Sequence, residues 1–399
     1  MIAVETALER VLAGLRPLAG ESVALPQALG RVLAADLAAR VSHPPLAVSS
    51  MDGWAVRAAD VAAVPARLAV AGTSAAGHPF AGTVRTGQAV RIFTGAPLPD
   101  GADAVARQED CRAEGGAVTV TVGIPPGKFV RPAGLDFAVG DVLLTAGTVM
   151  DPRRIGLAAA MNIPWLPVRR RPRVAVLSTG DEIRMPGEPL APAQIPGSNG
   201  PALAALIEAS GGLPMIVGIA SDTAESLAGL IAAAEGADLL VISGGASVGD
   251  YDMVAPALAE AGMALDFWKV AMRPGKPLMC GRLRGTPVLG LPGNPVAALV
   301  CATLFLVPML RTLAGLALYD GDTTAILGRD LPANDDRQDY LRSSLERRPD
   351  GTLVATPFAK QDSAVLSGLA AADALVVRPP HAPAAKAGES VTVLPLAGI

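Results

Sequence analysis

The sequence has 399 residues, of which 51% are hydrophobic and 18% charged, so it is long enough to form several domains with buried cores. Its formal net charge of −4 disfavours nucleic acid and anionic membrane surfaces as partners. The three cysteines include no CxxC pair and the three histidines lie far apart, which argues against a disulfide framework, a structural zinc site and a histidine-rich metal site.

The first half of the chain predicts small, separate structures. Residues 1–44 favour a helix followed by an extended, turn-rich segment, and acidic residues near the start argue against a secretory signal. Residues 45–136 contain short β-like runs separated by Gly, Pro and Asp, which is typical of a small β domain. Residues 137–170 then predict a strand and a helix, with Asp151 as the N-cap and Pro152 at the first helical position.

The second half has a more regular pattern. From residue 171, apolar strands such as "RVAVLST" and "ADLLVIS" alternate with amphipathic helices, which indicates a parallel sheet covered on both faces. The apolar stretch 296–310 contains Pro308 and is short for a membrane span, so we expect a buried helix and a cytoplasmic protein. Residues 317–399 return to short β-like runs, and the basic run "RRRPR" at 169–173 is interpreted as a solvated linker.

The stretch "VISGGASVGDYD", residues 241–252, ends a predicted strand in glycine and then adds two aspartates. Glycines at such a position allow backbone N–H groups to turn toward an anion, as in phosphate-binding nests. Asp250 and Asp252 would repel that anion unless a cation lay between them, so the pattern predicts Mg²⁺ or a similar hard ion. The alternative interpretation is a glycine-rich turn with an N-capping aspartate before the next helix.

Two other predicted strand ends carry related chemistry, and ligands of open α/β sheets bind at the carboxyl ends of strands. "STGDEI" places Asp181 and Glu182 directly behind a strand. "GLPGNPVAAL" places Asn294 at a helix N-cap and Pro295 at the first helical position. The free N–H groups of that helix start are suited to phosphate; the alternative is a well-capped, buried helix.

The segment "WKVAMRPGKP" concentrates positive charge around a Pro-Gly turn, through Lys269, Arg273 and Lys276. Lysine and arginine neutralise phosphate and oxyanion charge, so the cluster fits a polyanionic substrate. Taken alone it is also compatible with ordinary exposed cations, because such residues are common on protein surfaces.

Taken together, the motifs resemble those of the molybdopterin molybdenumtransferases, the bacterial MoeA proteins and the gephyrin E domain. The matching segments come in the family's order and cover nearly the whole chain. They are "SSMDGWAV", "TGAPLPDGADAV", "RPAGLDFAVGDVLL", "STGDEI", "SNGPALAALI", "SGGASVGDYD", "VAMRPGKPL", "GLPGNPVAAL" and "QDSAVLSGLAAADALVV".

The resemblance implies a multidomain α/β plus β fold. Its parts would be an elongated helical and extended region for dimerisation, an inserted β domain, a three-layer α/β/α molybdopterin-binding domain and a C-terminal β-barrel. In this sequence the elongated region would comprise residues 1–44 and 137–170, and the inserted β domain residues 45–136. The α/β/α domain would comprise residues 171–316 and the β-barrel residues 317–399. The resemblance also implies an elongated homodimer whose active site lies at the α/β domain and is completed by the partner subunit.

The implied reaction is insertion of molybdate into adenylylated molybdopterin, which releases AMP and gives molybdenum cofactor, with Mg²⁺ as the cofactor. Adenylylated molybdopterin and molybdate would be the substrates. The molybdopterin adenylyltransferase and acceptor molybdoenzymes would be further partners.

Residue roles follow from the same resemblance. Catalysis and charge stabilisation would involve Glu182, Asp222, Asp252, Lys269, Arg273 and Lys276. The metal ligands would be Asp181, Glu182, Asp250 and Asp252. Substrate binding would involve Asp52, Thr94, Asp136, Thr179, Gly180, Ser243, Gly244, Gly245, Ser247, Gly249, Asn294, Pro295, Arg342 and Ser363. The first three of these match positions that approach the site from the other subunit, and the last two match a pair at the oxyanion end.

The sequence also departs from the family pattern and leaves other functions open. Ala297 stands where many relatives carry serine, Trp54 replaces a tyrosine, and Arg273 stands where lysine is common. The α/β domain alone would equally suit a molybdopterin adenylyltransferase, and a non-catalytic dimeric scaffold is a further alternative. Tungstate is not distinguished from molybdate, because the two ions have nearly the same size and charge.

Overall fold

The computed structural model describes residues 1–245, 254–318 and 321–396. The chain forms two compact units, Met1–Glu21 with Arg169–Ile399, and Ser22–Val168. The four-part division drawn from the sequence is finer than these two units and stays a prediction.

The Ser22–Val168 unit is built around a six-stranded β-sheet. The strand order is Ala104–Arg107, Gly53–Val56, Gln88–Ile92, Ala66–Ser74, Ala117–Val120 and Cys111–Glu114. Two short strand pairs join Leu37–Ala38 to Val142–Leu144 and Val48–Ser49 to Val130–Arg131. The β domain predicted from alternating short runs is therefore confirmed.

Helical segments complete this unit. The α-helix Pro152–Ala160 begins as predicted, with Asp151 accepting a hydrogen bond from Arg154 N–H at 2.9 Å and proline in the first turn. Three 3₁₀ turns cover Leu25–Gln27, Ala58–Val61 and Gln108–Asp110. The strands Gly20–Ala24 and Trp165–Arg169 lie where the chain passes between the two units.

The larger unit contains the predicted α/β sheet, whose strands are numbered here within that sheet. They are β1 (Arg173–Thr179), β2 (Leu213–Ala220), β3 (Leu239–Ser243), β4 (Met263–Lys269), β5 (Pro277–Leu283) and β6 (Thr286–Leu291), in the order β2-β1-β3-β6-β5-β4. β1, β2, β3 and β6 are mutually parallel, and β5 is antiparallel to both its neighbours. The carboxyl ends of β1, β3 and β6 therefore lie at one edge.

Helices cover both faces of this sheet. The helices are Asn199–Ala209, Ala224–Ala233, Val254–Glu260 and Pro295–Ala314, the last with a π-helical turn at Ala302–Leu306. Val174 and Val176 of β1 belong to one buried apolar cluster, and Ala175 and Leu177 belong to another. Successive side chains of a strand face opposite sides, so the two clusters confirm the three-layer arrangement.

The helix Pro295–Ala314 is long and apolar enough to cross a membrane by length and composition, but 61% of its most apolar window is buried inside the protein. Its Phe305, Leu306 and Leu310 are completely buried in the apolar core of the larger unit. The N-terminal helix Val4–Leu12 contributes to the same core. The buried helix expected from the sequence is therefore confirmed.

The C-terminal region forms a closed β-barrel, as predicted. Its five strands, Thr323–Leu327, Gln338–Arg347, Leu353–Pro357, Ala374–Arg378 and Ser390–Pro395, each pair with two neighbours in a ring. A short helix, Leu366–Ala370, precedes the fourth strand. The short strand Met272–Arg273 adds in parallel to the edge of Gln338–Arg347.

The basic run at 169–173 is not the solvated linker expected from its composition. Arg170 forms two hydrogen bonds with the Asp238 carboxylate, at 2.6 and 2.5 Å, and Arg173 N–H donates to the same group at 2.8 Å. The Asp238 side chain is only 11% exposed. Although burial by itself raises the pKa of Asp238, these donors hold it below its usual value. The run therefore anchors the start of β1.

We expect Asp238→Ala to lower the free energy of unfolding by about 2–4 kcal/mol, because it leaves a half-buried guanidinium unpaired. Asp330→Ala removes a comparable but exposed partner of Lys386 and is expected to lower the free energy of unfolding far less, because exposed ion pairs contribute little to stability. An aspartate whose pKa is lowered in the folded state stabilises the fold at pH values above its unfolded-state pKa of about 4. This stabilisation is lost as the pH falls through the folded-state pKa. Urea unfolding should therefore show a constant deficit for Asp238→Ala from pH 8 to 5 that shrinks below pH 4. A deficit that is unchanged at low pH would contradict this assignment.

Candidate active site

A cavity of about 700 Å³ opens where three strands of the α/β sheet end. Its walls come from the end of β1, the end of β3 and the loop between β6 and the helix Pro295–Ala314. The lining from these three places is Ser178, Thr179, Gly180, Ser243, Gly244, Gly245, Pro292, Gly293 and Asn294. The three motifs picked out in the sequence therefore meet in one cavity.

The glycines after β3 are required by close packing against the end of β1 and the start of the helix Val254–Glu260. Gly244 and Gly245 have φ angles of 98° and 58°, a region that side chains rarely adopt. A Cβ on Gly244 would lie 2.6 Å from the Thr179 carbonyl oxygen, and one on Gly245 would lie 2.1 Å from Val254 Cγ2. The remaining predicted residues of this loop, Ser247, Gly249, Asp250 and Asp252, lie outside the described residues.

Carboxylates gather at one side of the cavity. Glu182 and Asp222 line it, and the Asp222 N–H donates to Asp181 Oδ1 at 3.2 Å. Partial removal from water raises the pKa of Asp222, and the charges of Asp181 and Glu182 raise it further. Among residues 1–245, 254–318 and 321–396, no group of three or more Asp, Glu, His or Cys side chains is placed to hold a metal ion.

The basic turn lies beside the same cavity. Pro277 lines the cavity, follows Lys276 in the chain, and is the cross-strand partner of Lys269. Lys276 is exposed, and no ion pair involves it in the described part of the chain.

Arg273 of the same turn already forms ion pairs with two carboxylates of the C-terminal region. Its guanidinium donates to Asp339 at 2.8 Å and pairs with Asp335 at 2.9 Å. Burial alone would lower the pKa of Arg273, but the contacts with these two carboxylates raise it. Its charge is thus balanced within the protein, and its predicted role in anion binding stays a prediction.

The start of the helix Pro295–Ala314 is held by the C-terminal region. Pro295 occupies the first turn as predicted, but the Asn294 side chain does not cap the helix. Its Nδ2 donates instead to Ser363 Oγ at 2.9 Å, and Val296 N–H donates to the Ser363 carbonyl at 3.2 Å. Two predicted substrate-binding residues, Asn294 and Ser363, are therefore in direct contact.

Arg342 holds the loop that carries Ser363. It is 1% exposed, and its guanidinium donates to the carbonyls of Lys360 and Val365 and to Gln361 Oε1 at 3.3, 3.0 and 3.2 Å. No carboxylate forms an ion pair with it within the described ranges, and burial lowers the pKa of Arg342. A buried cation of this kind is unusual, and the predicted role of Arg342 at the oxyanion end stays a prediction.

The remaining predicted residues belong to the Ser22–Val168 unit. Asp52 Oδ1 accepts hydrogen bonds from both the N–H and the hydroxyl of Thr94, each at 2.8 Å, which lowers the pKa of Asp52. Asp136 lines a separate cavity of about 620 Å³ together with Arg131 and His43. Their approach to an active site of another subunit stays a prediction.

Comparison with known proteins identifies the family. Residues 2–162 match the MoeA N-terminal region (domains I and II), 175–312 a probable molybdopterin binding domain, and 324–396 the MoeA C-terminal region (domain IV). A molybdopterin molybdenumtransferase of Nostoc is 39% identical over 94% of this chain and 88% of its own length. The chain belongs to the MoeA family of molybdopterin molybdenumtransferases. A second relative of that name, from Haemophilus influenzae, is 34% identical over 99% of this MoeA-family chain and 98% of its own.

Solved structures agree with this membership. A molybdopterin biosynthesis MoeA protein of Pyrococcus horikoshii is 35% identical, with a TM-score of 0.87 over 99% of both chains. A second MoeA structure from that organism is 28% identical, with a TM-score of 0.80 over 98% of this chain. The MoeA fold, including the closed barrel, is therefore shared over the whole described chain.

Proposed function

We propose that this MoeA-family protein inserts molybdenum from molybdate into adenylylated molybdopterin and releases AMP, giving molybdenum cofactor. The observation that carries the proposal is the cavity in which the glycine loop and the helix start meet, with the basic turn beside it at Pro277, in a chain similar to molybdenumtransferases over nearly its full length. Phosphate and molybdate are both anions, so N–H donors and cations are the groups this reaction needs.

The phosphate-bearing part of the substrate would lie at the glycine loop. Gly244 and Gly245 turn the backbone at the cavity wall, and Asn294 marks a helix start next to it. The N–H groups of Gly244 and Val296 already donate to the carbonyls of Leu291 and Ser363, at 3.2 Å each, so the donors meant are the other N–H groups of the turned loop and the helix start, which favour anions. Lys276 and Lys269, beside the cavity, would neutralise charge on the phosphate oxygens and on the leaving AMP.

The oxyanion would lie toward the C-terminal region. Ser363 contacts Asn294, and its loop is held by the buried guanidinium of Arg342. Arg342 has no ion-pair partner in the parts of the chain that the structure describes, so an incoming dianion would be attracted to it. Catalysis in this scheme is positioning and charge neutralisation, as in other reactions at phosphoryl linkages.

Mg²⁺ is the proposed cofactor, held by Asp181 and Glu182 with Asp250 and Asp252 of the loop outside the described residues. Mg²⁺ commonly uses one or two carboxylates and takes further oxygen ligands from substrate phosphates. The oxygen donors on the carboxylate side of the cavity fit that requirement, because Glu182 and Asp222 line it and Asp181 accepts a hydrogen bond from Asp222 N–H. When bound, the ion would offset charge between these carboxylates and the phosphate.

A homodimer in the cytoplasm is also proposed. Its support is the set of large exposed apolar side chains on the Ser22–Val168 unit, including Leu29, Val139, Val142 and Trp165, because apolar side chains that together form one exposed patch commonly mark interfaces. We also propose that the molybdopterin adenylyltransferase supplies adenylylated molybdopterin and that acceptor molybdoenzymes receive the molybdenum cofactor. Size-exclusion chromatography with light scattering tests the dimer, and a monomer at all concentrations would contradict it.

The reaction itself is tested with purified protein, adenylylated molybdopterin and Mg²⁺, by following AMP with and without molybdate. We expect AMP release only when molybdate is added, and a tungstate arm measures the preference between the two ions. Formation of adenylylated molybdopterin from molybdopterin and ATP would favour the adenylyltransferase alternative. No molybdate-dependent AMP would overturn the proposed function.

A further inference from the structure

Asn199 joins two of the chain segments that line the cavity, the end of β3 and the loop before the helix Pro295–Ala314, a role that no sequence motif indicates. It begins the helix Asn199–Ala209 and lines the cavity. Its Nδ2 donates to Ser243 Oγ at 2.8 Å and to the Gly293 carbonyl at 2.7 Å. The first acceptor ends β3, and the second precedes the helix Pro295–Ala314.

The amide orientation is fixed by these partners. A carbonyl oxygen such as that of Gly293 only accepts hydrogen bonds, so the side chain of Asn199 must present its NH₂ group there. The Oδ1 atom is buried and has no hydrogen-bond partner within residues 1–245, 254–318 and 321–396. Leaving a buried acceptor without a donor costs free energy. The two hydrogen bonds from the NH₂ group are therefore the contacts that hold Asn199 in this orientation.

The contact also fixes the direction of the Ser243 hydroxyl. Ser243 is 2% exposed and lines the cavity. Because its oxygen accepts from Asn199, its own proton points elsewhere, and no described residue accepts it. A hydroxyl has one donor, so that proton is available to an acceptor in the cavity.

We propose that Asn199 is a positioning residue that keeps Ser243 as a hydrogen-bond donor toward the anionic part of the substrate. It does so by donating to Ser243 Oγ and to Gly293 at once, which also fixes the spacing between the β3 end and the helix start. The inference rests on the proposed function, since the acceptor it assigns is a phosphate oxygen of adenylylated molybdopterin.

Asn199→Asp is the informative change, because it keeps the shape and reverses the polarity. An ionised carboxylate cannot donate, so it accepts the Ser243 proton and withdraws it from the substrate, and it repels the Gly293 carbonyl. Burial at the Oδ1 position raises the pKa of the introduced carboxyl group, so as the pH falls toward 5 it becomes protonated and can again donate one hydrogen bond. Asn199→Ala removes the contact without reversing it, so its effect is smaller and independent of pH.

The experiment measures binding of adenylylated molybdopterin by its pterin fluorescence, and the KM and kcat of molybdate-dependent AMP release, from pH 5 to 8. For Asn199→Asp we expect Kd and KM to rise about 30-fold at pH 8 and to recover toward pH 5, with kcat changed less than about threefold. Asn199→Ala should raise both about tenfold at every pH. Ser243→Ala added to Asn199→Asp should cause no further loss, because the donor is already withdrawn.

Thermal unfolding of each variant checks that it is folded at the assay temperature. Wild-type binding by both variants would overturn the inference, and so would equal, pH-independent losses that add to Ser243→Ala. A wild-type protein that binds the substrate but never releases AMP with molybdate would overturn the proposed reaction and leave this inference standing. Failure of the wild type to bind adenylylated molybdopterin would overturn both.

Discussion

Replacing Lys276 by alanine is expected to reduce kcat/KM for molybdate-dependent AMP release by about 100- to 1,000-fold. The side chain is exposed next to Pro277 of the cavity wall, and its charge is not paired with a carboxylate in the described part of the chain. Arg273 of the same turn is paired with Asp335 and Asp339, so it cannot replace the lost charge. Steady-state kinetics with saturating molybdate measures the effect.

Lys386→Ala is the matched control. It removes the same charge from an exposed position on the barrel, where the lysine pairs with Asp330, and should leave kcat/KM within about twofold of the wild type. Both variants should unfold at nearly the wild-type temperature, because each lysine is exposed. Equal activity of Lys276→Ala and the wild type would remove the basic turn from the mechanism.

Replacing Arg342 by alanine should affect stability and activity together. The change leaves the carbonyls of Lys360 and Val365 without their donor and opens a space where a 1% exposed side chain lay. We expect the free energy of unfolding to fall by about 3 kcal/mol. Because the released loop carries Ser363, kcat/KM should also fall, by about 100-fold, at temperatures where the variant remains folded.

Arg378→Ala separates the two effects. Arg378 is another buried barrel arginine that donates to backbone carbonyls, those of Pro332 and Pro383, and it holds no part of the loop at 360–365. It should lose stability of the same order while kcat/KM of the folded fraction stays near the wild-type value. If both variants lose activity only in proportion to unfolding, Arg342 has a structural role alone.

Features fixed by local chemistry were predictable from the sequence. Continuous apolar strands between helices indicate a parallel sheet, and parallel strands bring their carboxyl ends to one edge. The glycines after β3 and the residues that begin the helix Pro295–Ala314 were therefore expected at a common cavity, and the structure places them there. The N-cap at Asp151 depends only on residues within one turn and was also predicted.

Contacts between distant parts of the chain were not predictable in this way. Asn294 has the sequence context of a helix cap, yet its amide bonds Ser363, 69 residues away. Arg273 reads as a free cation, but Asp339 lies 66 residues further on and no local pattern links them. Asn199 was missed for the same reason: "SN" before a helix is explained by capping, whereas its partners Ser243 and Gly293 come from tertiary structure.

The short strand Met272–Arg273 makes the barrel inseparable from the rest of its unit. It pairs with Gln338 and Asp339, and Tyr340 and Leu375 of the barrel are buried in the same apolar cluster as the long helix. A chain terminated after residue 318 would lose the backbone partner of the basic turn and uncover part of that cluster. Excision, grafting or exchange of the barrel between relatives would therefore disturb the lysine-bearing turn even though every strand-end residue remained.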